Sequence, residues 1–556
     1  MDFTSRKVFL SACPRIFSYL RAGLNGLLQW LIFCGTAFRM SRVLTMRKRR
    51  WVRILLAGVL VSGAGLVSLP APNPDSWVIQ GALVADGTGS PLRAANVRIA
   101  GDSIVEVGNF VPKEDEETVH AEGWVLAPGF IDIHNHSTEG LLVEPLAASQ
   151  ISQGITTLVV GADGSSPWPV QDYLERLQRS PAAVNVMVLA GHATVRELVM
   201  GRDYRRAARQ EEIARMEQLV EQAMQEGAAG LSSGLEYEVG SYAATEELIA
   251  LARVVARYGG FYMTHIRDEA DRVFEALAEA LAIGAAAQVP VQISHIKLGT
   301  VGVWGQAARA VELIEQARQR GADVTADSYP YDAWSSTITV LVPNRRHDHA
   351  PSVAKGLADV GGAQNVMIVR MARRPEYEFR TLAEIAEARG ISPVELYMEI
   401  VREGGASVVC RSMVEEDIRT FYQQPWVMVA SDGGIGLRHP RSAGSFPRVL
   451  GRYVRELGWL SLEEAVRKMT SLPAARLKLA DRGQIRAGGK ADLVLFDPAT
   501  IQDRSTFYDP LRLSEGVLRV WVNGVEVWRA ERGAAGAATG ARPGRVLTPP
   551  RSTRPG

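Results

Sequence analysis

The stretch Ala127-Pro128-Gly129-Phe130-Ile131-Asp132-Ile133-His134-Asn135-His136 decides how the rest of the chain is read. Ala127-Pro128-Gly129 is a turn signal, and the residues after it predict a strand over 130–136. Strand side chains alternate between faces, so His134 and His136 are expected on one face, about 7 Å apart along the strand. Two imidazoles placed that way can grip one metal ion.

Downstream of this stretch the pattern switches repeatedly between strand and helix. Strand-like runs fall at 130–136, 156–163, 185–191, 228–236, 260–266, 289–296, 323–329 and 426–432. Helical stretches are expected at about 142–152, 169–179, 205–226, 244–257, 268–284 and 302–320. In the third of these, Ile213, Met216, Leu219, Val220 and Met224 recur near helical spacing. Strands alternating with helices predict βαβ units and a parallel sheet. Eight of them predict an α/β chain folded as a (β/α)₈ barrel over 127–482. The connection from Tyr331 to Trp426 is too long for a single crossover. It predicts an insertion at about 335–420 with its own small lobe, whose helices over 380–404 break at Gly390. Further helices are expected near 446–457 and 461–470.

The flanks are β-like. Segments 78–84, 95–100 and 104–107 precede the barrel, and 491–496 and 517–528 follow it, so 76–126 and 483–530 are expected to share one small β domain. The tail, 531–556, is rich in Gly, Ala, Pro and Arg and is expected to be disordered. At the other end, the basic run Arg47–Arg53 leads into apolar Ile54–Leu69, and Pro70-Ala71-Pro72-Asn73-Pro74 breaks it. That is the layout of an export signal over 1–75. The small-residue cleavage pattern is poor, so an uncleaved membrane anchor is the alternative. Either way the body is expected in the periplasm or outside the cell.

Composition narrows the function classes. The 556 residues carry a net charge of +1, which offers nucleic acid no attractive field. No phosphate-binding GxxxxGK[ST] loop is present. Of the three cysteines, Cys13, Cys34 and Cys410, two lie ahead of the fold, so the body has neither an intrachain disulfide nor a cysteine-based zinc site.

In a barrel, chemistry sits at the C-terminal ends of the strands. Five of the nine histidines fall there: His134 and His136 on the first, His192 on the third, His265 on the fifth and His295 on the sixth. Asp432 ends the eighth. Such a nitrogen and oxygen donor set suits Zn²⁺. A metal there activates water and polarises a carbonyl, and Asp432 is expected to take the water proton and pass it to a leaving group. Asp163 ends strand two and Glu236 strand four; either is a candidate to bridge a second metal. Arg267 and Lys297 each follow a histidine by two, which places them on that histidine's face as readers of an anionic substrate. His192, Tyr237, Tyr329, Tyr331, Ser335 and Ser336 are candidate pocket residues. A rival motif, Gly230-Leu231-Ser232-Ser233-Gly234, fits the G-x-S-x-G nucleophile elbow, but no helix is expected before about Thr245, and the elbow needs one at once.

With these residues in view, the chain resembles the D-aminoacylase (N-acyl-D-amino-acid deacylase) branch of the amidohydrolase superfamily over roughly Trp77 to Trp528. The resemblance is carried by 127–136, Gly191-His192, Ser233–Tyr237, Thr264–Glu269, Ser294–Lys297, Asp327–Tyr331, Ser431-Asp432-Gly433, His439-Pro440-Arg441 and the closing β motif Gly488–Val494. It implies a barrel joined to a β-sandwich made from both chain ends. It also implies one or two zinc ions and hydrolysis of the amide of a small N-acyl-D-amino acid. The matching metal positions are His134, His136, His265, His295 and Asp432. Two departures stand out: the family's bridging cysteine falls at Asp163, and a usually apolar position holds Glu236. An all-oxygen bridge is harder than a thiolate and moves metal preference towards Mn²⁺ or changes the metal count. The competing readings are a hydantoinase- or dihydropyrimidinase-like enzyme opening a cyclic amide, a serine hydrolase using Ser232, and a binding protein on an inactive barrel.

Overall fold

A computed structural model describes residues 76–549. The expected signal or anchor, and with it Cys13 and Cys34, lies outside the described residues. Among the described residues, no helix is long and apolar enough to cross a membrane.

Eight parallel strands form the barrel: Phe130–Asp132, Ile155–Val160, Asn185–Val188 continuing as Ala190–Gly191, Gly230–Gly234, Phe261–His265, Val291–Ile293, Val324–Ser328 and Val427–Val429. Each pairs with the next in sequence order. The ring closes between the eighth and first strands, where Asn135 bridges Gly433 and the Asp432 N–H donates to the His134 carbonyl at 2.9 Å. Ile155–Val160 is buried along its whole length, as befits a strand covered on both faces. Inward-facing Ile131, Ile133, Val159, Met187, Leu189, Met263 and Met428 fill the barrel below its upper rim, so the interior is a packed core and only the rim is free for chemistry. Helices Gln210–Glu226, Thr245–Arg257, Val273–Ala287 and Ala307–Gln319 pack side by side on the outside.

The strands are shorter than the sequence pattern implies. The first stops at Asp132 and the sixth at Ile293, so His134, His136, His295 and Lys297 lie on turns beyond the strands.

A sheet of strands from both chain ends forms the β-sandwich part. Val125–Pro128 pairs antiparallel with Leu493–Phe496, so the residues entering the barrel are clamped by those leaving it. Ile79, Val97, Leu126, Leu495 and Trp521 share its core. The tail through residue 549 does not behave as a disordered segment. Ala537–Ala538 pairs with Val525–Arg529, Val546 bridges Val186, and the Gly544 N–H donates to the Ala182 carbonyl at 2.9 Å. Backbone pairing of this kind needs few apolar side chains, which is why composition missed it.

Between the seventh and eighth barrel strands, residues 333–411 build a lobe with its own core. A four-stranded antiparallel sheet, Ala333–Thr337, Ser407–Arg411, Val366–Arg370 and Arg380–Thr381, packs against three helices. Local signals set two of these. Thr381 caps Leu382–Arg389 with Glu384 completing a capping box, and Gly390 ends that helix in the left-handed region at φ 66°. Ser392 and Pro393 start Pro393–Arg402. Cys410 is buried in this lobe, and burial pushes its thiol pKa up to about 12.

Candidate metal centre

Asp163 stands at the middle of the upper rim. His134 Nε2 lies 3.4 Å from its Oδ1, while His136 Nε2 and His295 Nε2 lie 3.5 Å from its Oδ2. His265 Nδ1 faces His295 Nε2 at 2.9 Å. Asp432 Oδ1 is 3.0 Å from His136 and 3.4 Å from His134. Two donor groups therefore share Asp163: His134, His136 and Asp432 on one side, His265 and His295 on the other.

The backbone is bent to achieve this. Asp163, His295 and Asp432 all have positive φ, at 54°, 32° and 48°. Gly234 lets the Asp163 loop close, since a Cβ there would sit 2.4 Å from the Asp163 carbonyl oxygen. Buried Asp132 ties the first strand to the eighth, accepting from the Ser431 N–H at 2.9 Å, from the Ser431 hydroxyl at 2.5 Å and from Asn135 at 2.8 Å.

Behind the imidazoles stand carboxylates. Asp327 lies 3.2 Å from His134 Nδ1, Glu236 lies 2.8 Å from His265 Nε2, and Glu269 lies 3.0 Å from His295 Nδ1. Carboxylates in this position fix the ring orientation of metal ligands. Two atoms are left over: His134 Nε2 and Asp163 Oδ1 are buried and have no hydrogen-bond partner. Leaving both unpaired is costly, and a cation between them satisfies both. The donor set thus fits a divalent ion.

Electrostatics agree. Burial alone would raise the Asp163 pKa, but His134 and His295 hold it well below the usual carboxylate range. Burial likewise opposes ionised Asp432, and Arg441, His295 and His134 outweigh it. His295 is pushed up to about 9, since Glu269, Asp432 and Asp163 outweigh burial and the Lys297 charge. Burial raises Glu236, against the pull of His265.

The centre forms the floor of a cavity of about 480 Å³. His136, Asp163, Glu236, Tyr237, His265, His295, Lys297, Ser335, Ser336 and Asp432 line it. Several candidates take roles other than the expected ones. Glu236 meets His265 at the nitrogen turned away from His295 and does not join the Asp163 group, because its strand ends at Gly234. His192 opens a helix, is fully buried, and pairs with Glu247 at 2.8 Å. Arg267 lies beyond its strand, where alternation no longer applies, and donates to Glu279 at 2.7 and 2.8 Å. Tyr329 lies under the cations as packing, 4.8 Å from the Arg441 guanidinium and 5.8 Å from Lys297. Tyr331 lies outside the cavity, bonded to Asp503 at 3.1 Å. Lys297 lines the cavity, but it donates to both Glu269 oxygens at 2.6 and 2.7 Å, so its charge is spent within the site. Ser232 is buried in its strand, donating to the Gly161 carbonyl at 2.5 Å and accepting from Gly164 N–H at 3.0 Å. No elbow forms, and the serine hydrolase reading falls.

Sequence reasoning missed Glu269, Asp327 and Arg441. Glu269 follows His265 by four, and Asp327 lies next to the end of strand seven. Arg441 Nη1 donates to Asp432 Oδ2 at 2.5 Å, a contact the motif His439-Pro440-Arg441 marks without revealing.

Comparison with known proteins agrees with this geometry. The amidohydrolase family model matches residues 117–528. A D-aminoacylase of Alcaligenes xylosoxydans xylosoxydans is 39% identical over 500 residues, covering 85% of this chain and 98% of that protein. The crystal structure of a D-aminoacylase superposes with a TM-score of 0.77 at 37% identity, over 85% of this chain and all of that one. An N-acyl-D-glutamate deacylase from Bordetella bronchiseptica, solved with zinc and a phosphonate mimic of the tetrahedral intermediate, does so at 0.76 and 34%, with the same coverage. A dihydropyrimidinase and a D-hydantoinase match at 17% and 15% identity, which shows the fold alone. The chain belongs to the amidohydrolase family, in its D-aminoacylase (N-acyl-D-amino-acid deacylase) branch.

Proposed function

We propose that the protein is a metal-dependent hydrolase that removes the acyl group from N-acyl-D-amino acids. The observation that carries this reading is the gathering of four imidazoles and Asp432 around Asp163 at the floor of one cavity, in a chain whose relatives are D-aminoacylases and N-acyl-D-amino-acid deacylases. His134, His136, His265, His295, Asp163 and Asp432 would hold one or two divalent ions, with Asp163 shared. Zinc suits the imidazoles, and the carboxylate bridge suits Mn²⁺ as well. When bound, the ion supplies Lewis acidity and a water of lowered pKa.

The chain's own groups do the rest. Arg441 keeps Asp432 ionised and fixes one of its oxygens, leaving the other by His136. Asp432 takes a proton from the attacking water and delivers it to the departing amide nitrogen. Arg441 also lines the cavity, and its guanidinium has donors beyond the one on Asp432, whereas the Lys297 ammonium spends all three on Glu269 and His295; Arg441 reads the substrate carboxylate. Tyr237, its ring 4.4 Å from that of His265, and Ser335 flank the acyl group.

Metal analysis of the purified protein, with hydrolysis of matched N-acyl-D- and N-acyl-L-amino acids and a hydantoin panel, tests the proposal. Metal-dependent turnover of the D series is expected. Full activity without metal, or turnover of hydantoins alone, would sink it. The basic and apolar segments ahead of Pro70 support placement of the enzyme outside the cytoplasm. A reporter fused after Trp77 should then be active there, and its recovery in the cytoplasm alone would refute this.

A further inference from the structure

His265 turns a different ring nitrogen to the centre: His134 and His295 present Nε2 to Asp163, His265 presents Nδ1. Its Nε2 faces Glu236 Oε2 at 2.8 Å, and its Nδ1 faces His295 Nε2 at 2.9 Å, on the side of Asp163. A neutral imidazole carries one proton. With that proton on Nε2 the Nδ1 lone pair is free for a metal; with it on Nδ1 the ring cannot ligate from that side. The outcome depends on what stands at Nε2. The rival acceptor there, Glu269, is 3.7 Å away and already bonded to Lys297. The Glu236 carboxylate makes no other hydrogen bond or ion pair among the described residues. It is nearly buried, with 11% of its side chain exposed.

We propose that Glu236 is a positioning residue: by accepting the Nε2 proton of His265 it sets that ring's tautomer and turns Nδ1 towards the metal position shared with His295 and Asp163. This rests on the metal reading above. It assigns Glu236 a role through His265, whereas the sequence had pointed to direct ligation.

The test uses the full-length protein loaded with Co²⁺ or Zn²⁺. Affinity is read by competition with a chromophoric chelator, and ligand geometry by the visible absorption of the Co²⁺ form. Loss of a carboxylate behind a ligating histidine typically weakens metal binding about 10–100-fold. Glu236→Leu should show that loss and an altered Co²⁺ spectrum. Glu236→Gln keeps a side-chain oxygen that accepts the same N–H, and should fall between the two proteins. Wild-type affinity and spectrum in Glu236→Leu would overturn the assignment. A loss in Glu236→Gln as large as in Glu236→Leu would also overturn it, because it would mark Glu236 as a direct ligand. Failure of the wild-type protein to bind any divalent ion would remove the metal reading and this inference together, and so is distinguishable from failure of the inference alone.

Discussion

On the barrel side of the cavity, the charged groups are held by one another. Lys297 is on Glu269, Arg441 on Asp432, and Asp327 on His134. On the lobe side, Trp334, Val340, Leu341, Val360 and Val369 present a wall of apolar side chains that no ion pair ties to one another. The barrel side is interlocked, so one change there disturbs several neighbours. The wall contributes shape and apolar area, and its residues act nearly independently. Reaction chemistry should therefore be sensitive on the first side, and substrate choice adjustable on the second.

The sharpest way to break this division is Asp432→Asn, which keeps shape and removes basicity. A fall in kcat of about 10²–10⁴-fold is expected, with metal content nearly unchanged because the histidines remain. Metal lost in proportion to activity would make Asp432 chiefly a ligand.

Next is Arg441→Met. It removes a charge-assisted hydrogen bond to the substrate carboxylate, worth ~1.5–3 kcal/mol, so KM should rise roughly 10–150-fold. It also releases Asp432, so kcat should fall with it. On a substrate whose carboxylate is amidated, only the kcat defect should remain. An equal KM defect on acid and amide would show that Arg441 does not read the carboxylate.

The smallest effect belongs to the wall. Val340→Ala removes two carbon atoms, at about 0.8 kcal/mol each if they cover substrate. A loss of up to roughly tenfold in kcat/KM is expected on substrates with large apolar groups, and little on small ones, with metal affinity untouched. A comparable loss on every substrate would mean that the two sides are coupled after all.

His134, His136, His265, His295 and Asp432 were legible in the sequence because strand ends in a barrel point at one place; the fifth strand-end histidine, His192, turns to Glu247 instead. The side of the strand on which their neighbours fall was not. Period-two reasoning sent Arg267 and Lys297 to the substrate, but the strands end at His265 and Ile293, and past those points alternation has no force. Arg267 turns to Glu279, and Lys297 to Glu269. Glu236 was legible as important but not as standing behind a histidine, since only the turn after Gly234 sets its approach. The apolar wall was invisible: its residues lie within the inserted lobe, and nothing local says which of them faces Asp163.

Three of the nine non-glycine residues with positive φ among the described residues are Asp163, His295 and Asp432. A left-handed conformation costs a non-glycine residue about 1–3 kcal/mol, less for Asp and His, which visit that region more readily than most. The native state therefore carries a small, concentrated load at the place where it works. Glycine at any of the three would shed the local load and the donor atom together. A blind selection for heat tolerance, run without a check on turnover, should drift towards such changes and return sturdier, inert proteins. Directed evolution of this scaffold needs those three codons frozen, and durability sought in the sheet made from the two chain ends.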